Sequence, residues 1–199
     1  MKKISLLKTG ILVIALFTTS CNKNDKNNDL TPQNTEDYTE ILTDYVNKTV
    51  IPTYAEMKDN AKLLFAKAED FKASSTQADL DSACALWKST RKPWESSESF
   101  LFGPAANNNL DPLLDSWPLD QSQLDQVLAG SQELTADFVG NGLGPSLRGF
   151  HTIEYLLFID GEPRNAEDIT DREKEYLTAV TEVLRNDCIK LWALWEGGS

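Results

Sequence analysis

The stretch GFHTIEYLLF, residues 149–158, holds the chain's single histidine, His151, and a glutamate three positions later, Glu154. On a helix the two side chains share a face. Leu147 and Phe158 fall on that face too, so the pair is expected to be shielded from bulk water. Burial disfavours charge on either group alone. Together they can neutralise each other as an ion pair, or both can bind a cation. Glu-x-x-His serves the latter purpose in di-iron bundles, although there it is duplicated and runs in the opposite order. The plainer alternative is a structural ion pair or cap.

The missing second histidine limits the chemistry further. A zincin shell needs two histidines around a glutamate, and this chain has one histidine. The other ligands of any metal must be carboxylates, carbonyls or water. Such a shell suits iron, manganese or calcium at least as well as zinc. Haem ligation by His151 is compatible with the sequence, but there is no c-type attachment motif. A Ser or Cys nucleophile would have to use His151 as its base, and no G-x-S-x-G elbow is present.

A second group of charged residues lies in WKSTRKPWESSESFLFGP, residues 87–104. Arg91, Glu95 and Glu98 recur at helical spacing among Trp87, Trp94, Phe100 and Phe102. An exposed i, i+4 pair would contribute only a few tenths of a kcal/mol, on the order of 0.3. The surrounding aromatics favour a built site over a solvated face. DSWPLD, residues 115–120, adds Asp115, Trp117 and Asp120 on an irregular loop. Its structural alternative is a loop anchored by a buried tryptophan.

These residues need helices to position them. Tyr38, Ile41, Leu42, Tyr45 and Val46 begin an i, i+3, i+4 stripe, which resumes at Tyr54, Met57, Leu63, Leu64 and Phe65, with Pro52 expected to kink or break it. Thr76 with Asp79 opens the next helix, and Leu80, Cys84, Leu86 and Trp87 continue it. Pro93 should interrupt its path. Residues 103–120 are rich in Pro and Asn and read as a long functional or packed loop. Short helices are expected at residues 121–129 and 131–139. GNGLGP then turns the chain into the His151 helix, and DGEPRN, residues 160–165, ends it. Thr170 and Glu173 cap a final helix whose apolar face runs from Tyr176 to Trp195. With no competing strand pattern, the fold class is all-α, a helical bundle. Trp192 and Trp195 lie almost at the end of the sequence. They either close this bundle's own core or mark the front part of a longer protein.

The chain has 199 residues, 41% of them hydrophobic and 25% charged, which is enough for one sizeable packed domain. Its formal charge of −12 argues against nucleic acid as a partner, because phosphate binding needs Lys and Arg on a common face. Lys2, Lys3 and Lys8, the short apolar run ILVIALF and then TTSC read as a secretory leader at residues 1–20. The leader is too short to span a bilayer. Cys21 is the expected lipidation site, with Thr18 standing where a larger aliphatic residue is usual in such leaders. Removing residues 1–20 takes away three lysines and no acid, so −12 becomes −15. Residues 21–35 form a polar tether, and the helical domain spans 36–199. The protein is therefore expected to be membrane-attached through a lipid anchor in the cell envelope, on the periplasmic face or at an outer membrane. Cys84 and Cys188 could pair in such a compartment, but both fall on apolar stripes, as small core residues would.

Three ordered blocks carry a family likeness: the Arg91–Glu95–Glu98 segment before Phe-Gly, the loop DPLLDSWPLD, and Gly149-x-His151-x-x-Glu154. In this order they resemble the imelysin family, also known as M75 peptidases. The resemblance implies a fold of two related bundle halves, and it covers residues 36–199 as the front half only. It also implies a cell-envelope role in iron uptake, with the motif near the junction of the halves. His151, Glu154, Glu95 and Glu98 are the candidate metal ligands, with Arg91, Asp120, Trp117 and Gly149 around them. Iron, as an ion or within an iron-containing ligand, is the expected cargo, ahead of zinc or calcium. A metal-dependent peptidase and a non-catalytic interaction module are the alternatives. A protein partner or an absent C-terminal half is the further expectation.

Overall fold

The structure is a computed structural model and describes residues 35–197. The expected leader, Cys21 and most of the tether lie outside the described residues. The chain from Glu36 onward forms one compact unit. Among the described residues, no helix is long and apolar enough to cross a membrane.

Helix α1 (Thr35–Tyr45) passes through a π-helical stretch at Val46–Val50 into α2 (Ile51–Ser74). Pro52 sits at the second residue of α2, directly after the π-helical stretch. The expected break is thus a change of helical pitch with no loop. Tyr54, Met57, Ala61, Leu64, Ala68 and Phe71 recur every three or four residues along α2, and all are buried. Burying a large apolar side chain contributes roughly 1.5–3 kcal/mol. Leu63, expected on the same stripe, is exposed. Ser75 ends the helix in the left-handed region (φ 52°), donating its N–H to Phe71 O at 2.8 Å.

Helix α3 (Gln77–Ser97) starts where the sequence places it, with Thr76 accepting from the Asp79 N–H. Pro93 does not interrupt it. The proline cannot donate to Ser89 O, its partner four residues back. That carbonyl instead accepts from Asn60 Nδ2 on α2 at 3.0 Å. The tertiary contact replaces the missing helical bond, and α3 continues to Ser97.

Residues 103–120 contain two short helices, α4 (Pro104–Asn107) and α5 (Leu110–Asp115), followed by a cis Trp117–Pro118 peptide. Helix α6 (Gln121–Ala129) lies where expected, with Asp120 as its N-cap. Of the helix expected at 131–139, residues 131–135 stay outside any helix, and helical backbone begins only at Ala136. Gln132 turns back to donate to Val127 O at 2.7 Å, and its own carbonyl accepts from Arg172. Side-chain bonds of this kind hold a segment outside the helical ladder. A π-helical turn follows at Phe138–Gly142.

Helix α7 (Phe150–Leu157) carries His151. It ends in a small antiparallel pair, β1 (Phe158–Ile159) with β2 (Glu162–Pro163), joined by Asp160 and Gly161, both at positive φ. Helix α8 (Asp171–Glu196) opens with the expected capping box between Thr170 and Glu173. Helix α2 packs along both α3 and α8, and α7 touches both α3 and α8. This is the all-α bundle read from the periodicity.

Cys84 and Cys188 are buried and unpaired. Burial pushes the Cys84 thiol pKa up to about 12. The terminal aromatics pack on the bundle. Trp195 stacks on Tyr54 with ring centres 6.5 Å apart, and Lys58 lies over the Trp192 ring at 3.8 Å.

Candidate functional site

The site begins with a close backbone contact. Gly149 has φ +81°, and a Cβ built there would lie 2.3 Å from Leu114 O. Only glycine fits. The start of α7 therefore rests directly on the end of α5. The surrounding elements hold it there: Trp87 Nε1 donates to Phe150 O at 3.0 Å, and Tyr176 Oη donates to Leu147 O at 2.6 Å. Arg148, almost fully buried, pairs with Asp187 on α8 and donates to Gly140 O. Burial pushes the Asp187 pKa up, and the Arg148 guanidinium opposes the shift without cancelling it.

That contact brings Asp115, the last residue of α5, up to His151. Asp115 is the hub of the site. Its Oδ1 takes Arg91 from α3 and lies 3.1 Å from His151 Nε2. Its Oδ2 accepts from the Trp94 indole at 2.8 Å. On the other edge of the imidazole, Nδ1 is 3.0 Å from Glu154 Oε2. Each ring nitrogen thus faces a carboxylate. With one ring proton His151 can donate to one of them, and with two it donates to both.

The structure joins most of the sequence candidates and separates a few. Arg91 pairs with both Glu95 and Asp115, and its guanidinium lies 5.1 Å from the Phe150 ring centre. Glu95 therefore reaches the centre only through Arg91. Glu98 begins the 3-10 turn that ends α3, and it is exposed. Asp120 accepts from the Gln123 N–H at 2.9 Å as the α6 cap. Trp117 is not the buried anchor offered as the structural alternative. It is 72% exposed, and its ring centre lies 4.7 Å from that of His151. Sequence spacing marks Asp115 only as a loop acid. It marks Trp94 only as one of the flanking aromatics.

Beside the hub lies a cavity of about 300 Å³ lined by Trp117, Pro118, Leu119, Gln121, His151, Glu154 and Tyr155. Its wall is largely apolar, with a polar edge formed by His151 and Glu154. Gln121 Nε2 donates to Tyr155 Oη at 2.8 Å.

This arrangement does not fit a directly coordinated metal ion. Among the described residues, no three His, Cys, Asp or Glu side chains are grouped to hold one. Both imidazole nitrogens face carboxylates, and the Arg91 cation occupies the centre where an ion would need Asp115 and Glu95. The site can instead receive a molecule that rests on Trp117 and Tyr155 and meets the His151–Glu154 edge.

Known proteins share this fold. The imelysin (peptidase M75) family model matches residues 50–199, and the chain belongs to that family. It is 30% identical over 155 residues to iron-regulated protein A of Synechococcus elongatus, a match covering 78% of this chain and 40% of the relative. Among solved structures it resembles an iron-regulated protein A precursor from Parabacteroides distasonis, with 37% identity, TM-score 0.71, and coverage of 77% and 43% of the two chains. An imelysin peptidase from Bacteroides ovatus is 34% identical with TM-score 0.53, covering 69% of this chain and 44% of that one. An imelysin-like protein from Psychrobacter arcticus, at 19% identity and TM-score 0.68, shares the fold, with 80% and 50% covered. The chain thus spans about half or less of the length of these relatives.

Proposed function

We propose that this chain is a cell-envelope protein of iron uptake, anchored through a lipid on Cys21, that binds an iron-containing ligand in the cavity beside His151. One observation carries the reading. A mostly apolar pocket of about 300 Å³, within the usual size range of ligand sites, ends on a fixed imidazole–carboxylate edge. Two relatives that bear the name iron-regulated protein A supply the link to iron. The donor arrangement favours binding the metal inside a complex over coordinating a bare ion. It also favours binding over hydrolysis. A peptidase needs a free base or a metal-activated water, whereas here the ring nitrogens and Asp115 are engaged with one another.

The test is calorimetric titration of the protein with ferric salt and with preformed ferric complexes. A ferric complex should bind, and His151→Ala should weaken it about tenfold or more, as expected for a lost polar anchor worth about 1.4 kcal/mol. Affinity unchanged by His151→Ala would remove the site from the reading.

A further inference from the structure

Charge and hydrogen-bonding capacity at the rim narrow the class of ligand, given that the cavity receives a ferric complex. The polar side of the site sets one guanidinium, Arg91, against three carboxylates: Asp115, Glu95 and Glu154. Even with a charged His151 the group remains net negative. Glu95 and Glu154 are about half exposed, so their field reaches an approaching ligand. The whole chain, at −12, adds to the same sign. A low-dielectric wall beside such charges strengthens the field within the cavity.

The rim also has unused donors and acceptors. Tyr155 Oη accepts from Gln121, and its own proton has no acceptor among the described residues. The Trp117 indole N–H likewise has none. Glu154 engages His151 through Oε2, which leaves Oε1 free to accept. A well-matched ligand would carry carbonyl acceptors for Tyr155 and Trp117, apolar arms for Trp117 and Leu119, and either no net charge or a positive group for Glu154.

We infer that the site selects neutral or cationic ferric complexes of the trihydroxamate type and rejects anionic ones. Hydroxamate charges cancel that of the ferric ion, so the complex is neutral, and it is cationic when it bears an ammonium tail. Ferric tricatecholates and ferric citrates remain anionic, and the exposed carboxylates repel them. Amide and hydroxamate carbonyls supply the acceptors that Tyr155 and Trp117 lack.

The experiment titrates the whole chain, following tryptophan fluorescence and heat, with a linear ferric trihydroxamate bearing one ammonium, a ferric tricatecholate and ferric citrate. The trihydroxamate should bind at least about tenfold more tightly than either anion, with the gap narrowing in high salt. Glu154→Gln should reduce that gap about threefold or more. Tyr155→Phe, which keeps the ring, should weaken the trihydroxamate by a similar factor. Circular dichroism checks that both variants are folded. An anionic complex that binds as tightly as the trihydroxamate, or a gap unchanged by Glu154→Gln, overturns the inference. Equal affinity for all complexes that is lost on His151→Ala overturns it and leaves the iron-complex reading standing. If none of the ferric complexes binds, both fall.

Discussion

Asn60 on α2 donates a hydrogen bond to the carbonyl of Ser89 on α3, the group that Pro93 leaves without its helical partner. A proline inside a 21-residue helix, four residues from its end, is thereby accommodated by a neighbouring helix. Asn60→Ala should lower stability by about 1 kcal/mol, the usual loss for one hydrogen bond. In a Pro93→Ala background, where the backbone N–H returns, the same substitution should cost clearly less. Urea unfolding of the four proteins would measure this coupling. Equal losses in both backgrounds would contradict the compensation.

Gly149 supports the site by having no side chain. Gly149→Ala places a methyl carbon 2.3 Å from Leu114 O and forces alanine to φ +81°. The expected loss is about 2–4 kcal/mol, with affinity for ferric complexes reduced as α7 moves away from α5. Gly144→Ala is the control, because a Cβ there meets no atom within 4 Å. Its thermal midpoint should stay close to that of the parent protein.

Asp115 receives Arg91, Trp94 and His151 at once. Asp115→Ala strands a guanidinium and an indole N–H in a largely buried setting and should cost about 3 kcal/mol. Asp115→Asn keeps one acceptor and should cost less. Chemical denaturation ranks the pair, and a smaller loss for alanine than for asparagine would contradict the hub.

The capping box gives stability an acid dependence. Burial alone would raise the Glu173 pKa, but Arg164 and Thr170 more than offset it, so the folded value lies below the ordinary 4.5. Because the folded pKa is depressed, the contribution is complete above 4.5 and is lost as pH falls through the folded value. Glu173→Gln should therefore flatten part of the acid slope of stability between pH 5 and lower values. A slope identical to the parent's would place the acid sensitivity elsewhere.

Much of the fold could be read from local signals. Thr170 with Glu173 marked the start of α8, Thr76 with Asp79 that of α3, and apolar spacing marked the buried face of α2. Asp160–Gly161 was itself a hairpin signal, read only as a helix end. The misreadings came from contacts between residues far apart in sequence. Pro93 looked like a break because Asn60, 33 positions earlier, cannot be paired with it by periodicity. Residues 131–135 looked helical because the Arg172 bond that fixes Gln132 comes from another element. His151 and Glu154 were visible as a pair, whereas Asp115 was not visible as their partner. Its role depends on α5 ending against Gly149, and sequence spacing does not encode that meeting. The sequence leaves Trp117 as either a site residue or a buried loop anchor, and the structure sets it open on the cavity rim.

One carboxylate fastens three helices, and of the cavity wall only His151 bonds to it. Trp117, Leu119, Gln121 and Tyr155 form the rim without bonding to Asp115. Apart from His151, the molecule thus separates what keeps it assembled from what would grip a ligand. Exchanging residues along the wall can retune cargo preference at little risk to the scaffold, whereas the same freedom at position 115 would undo both.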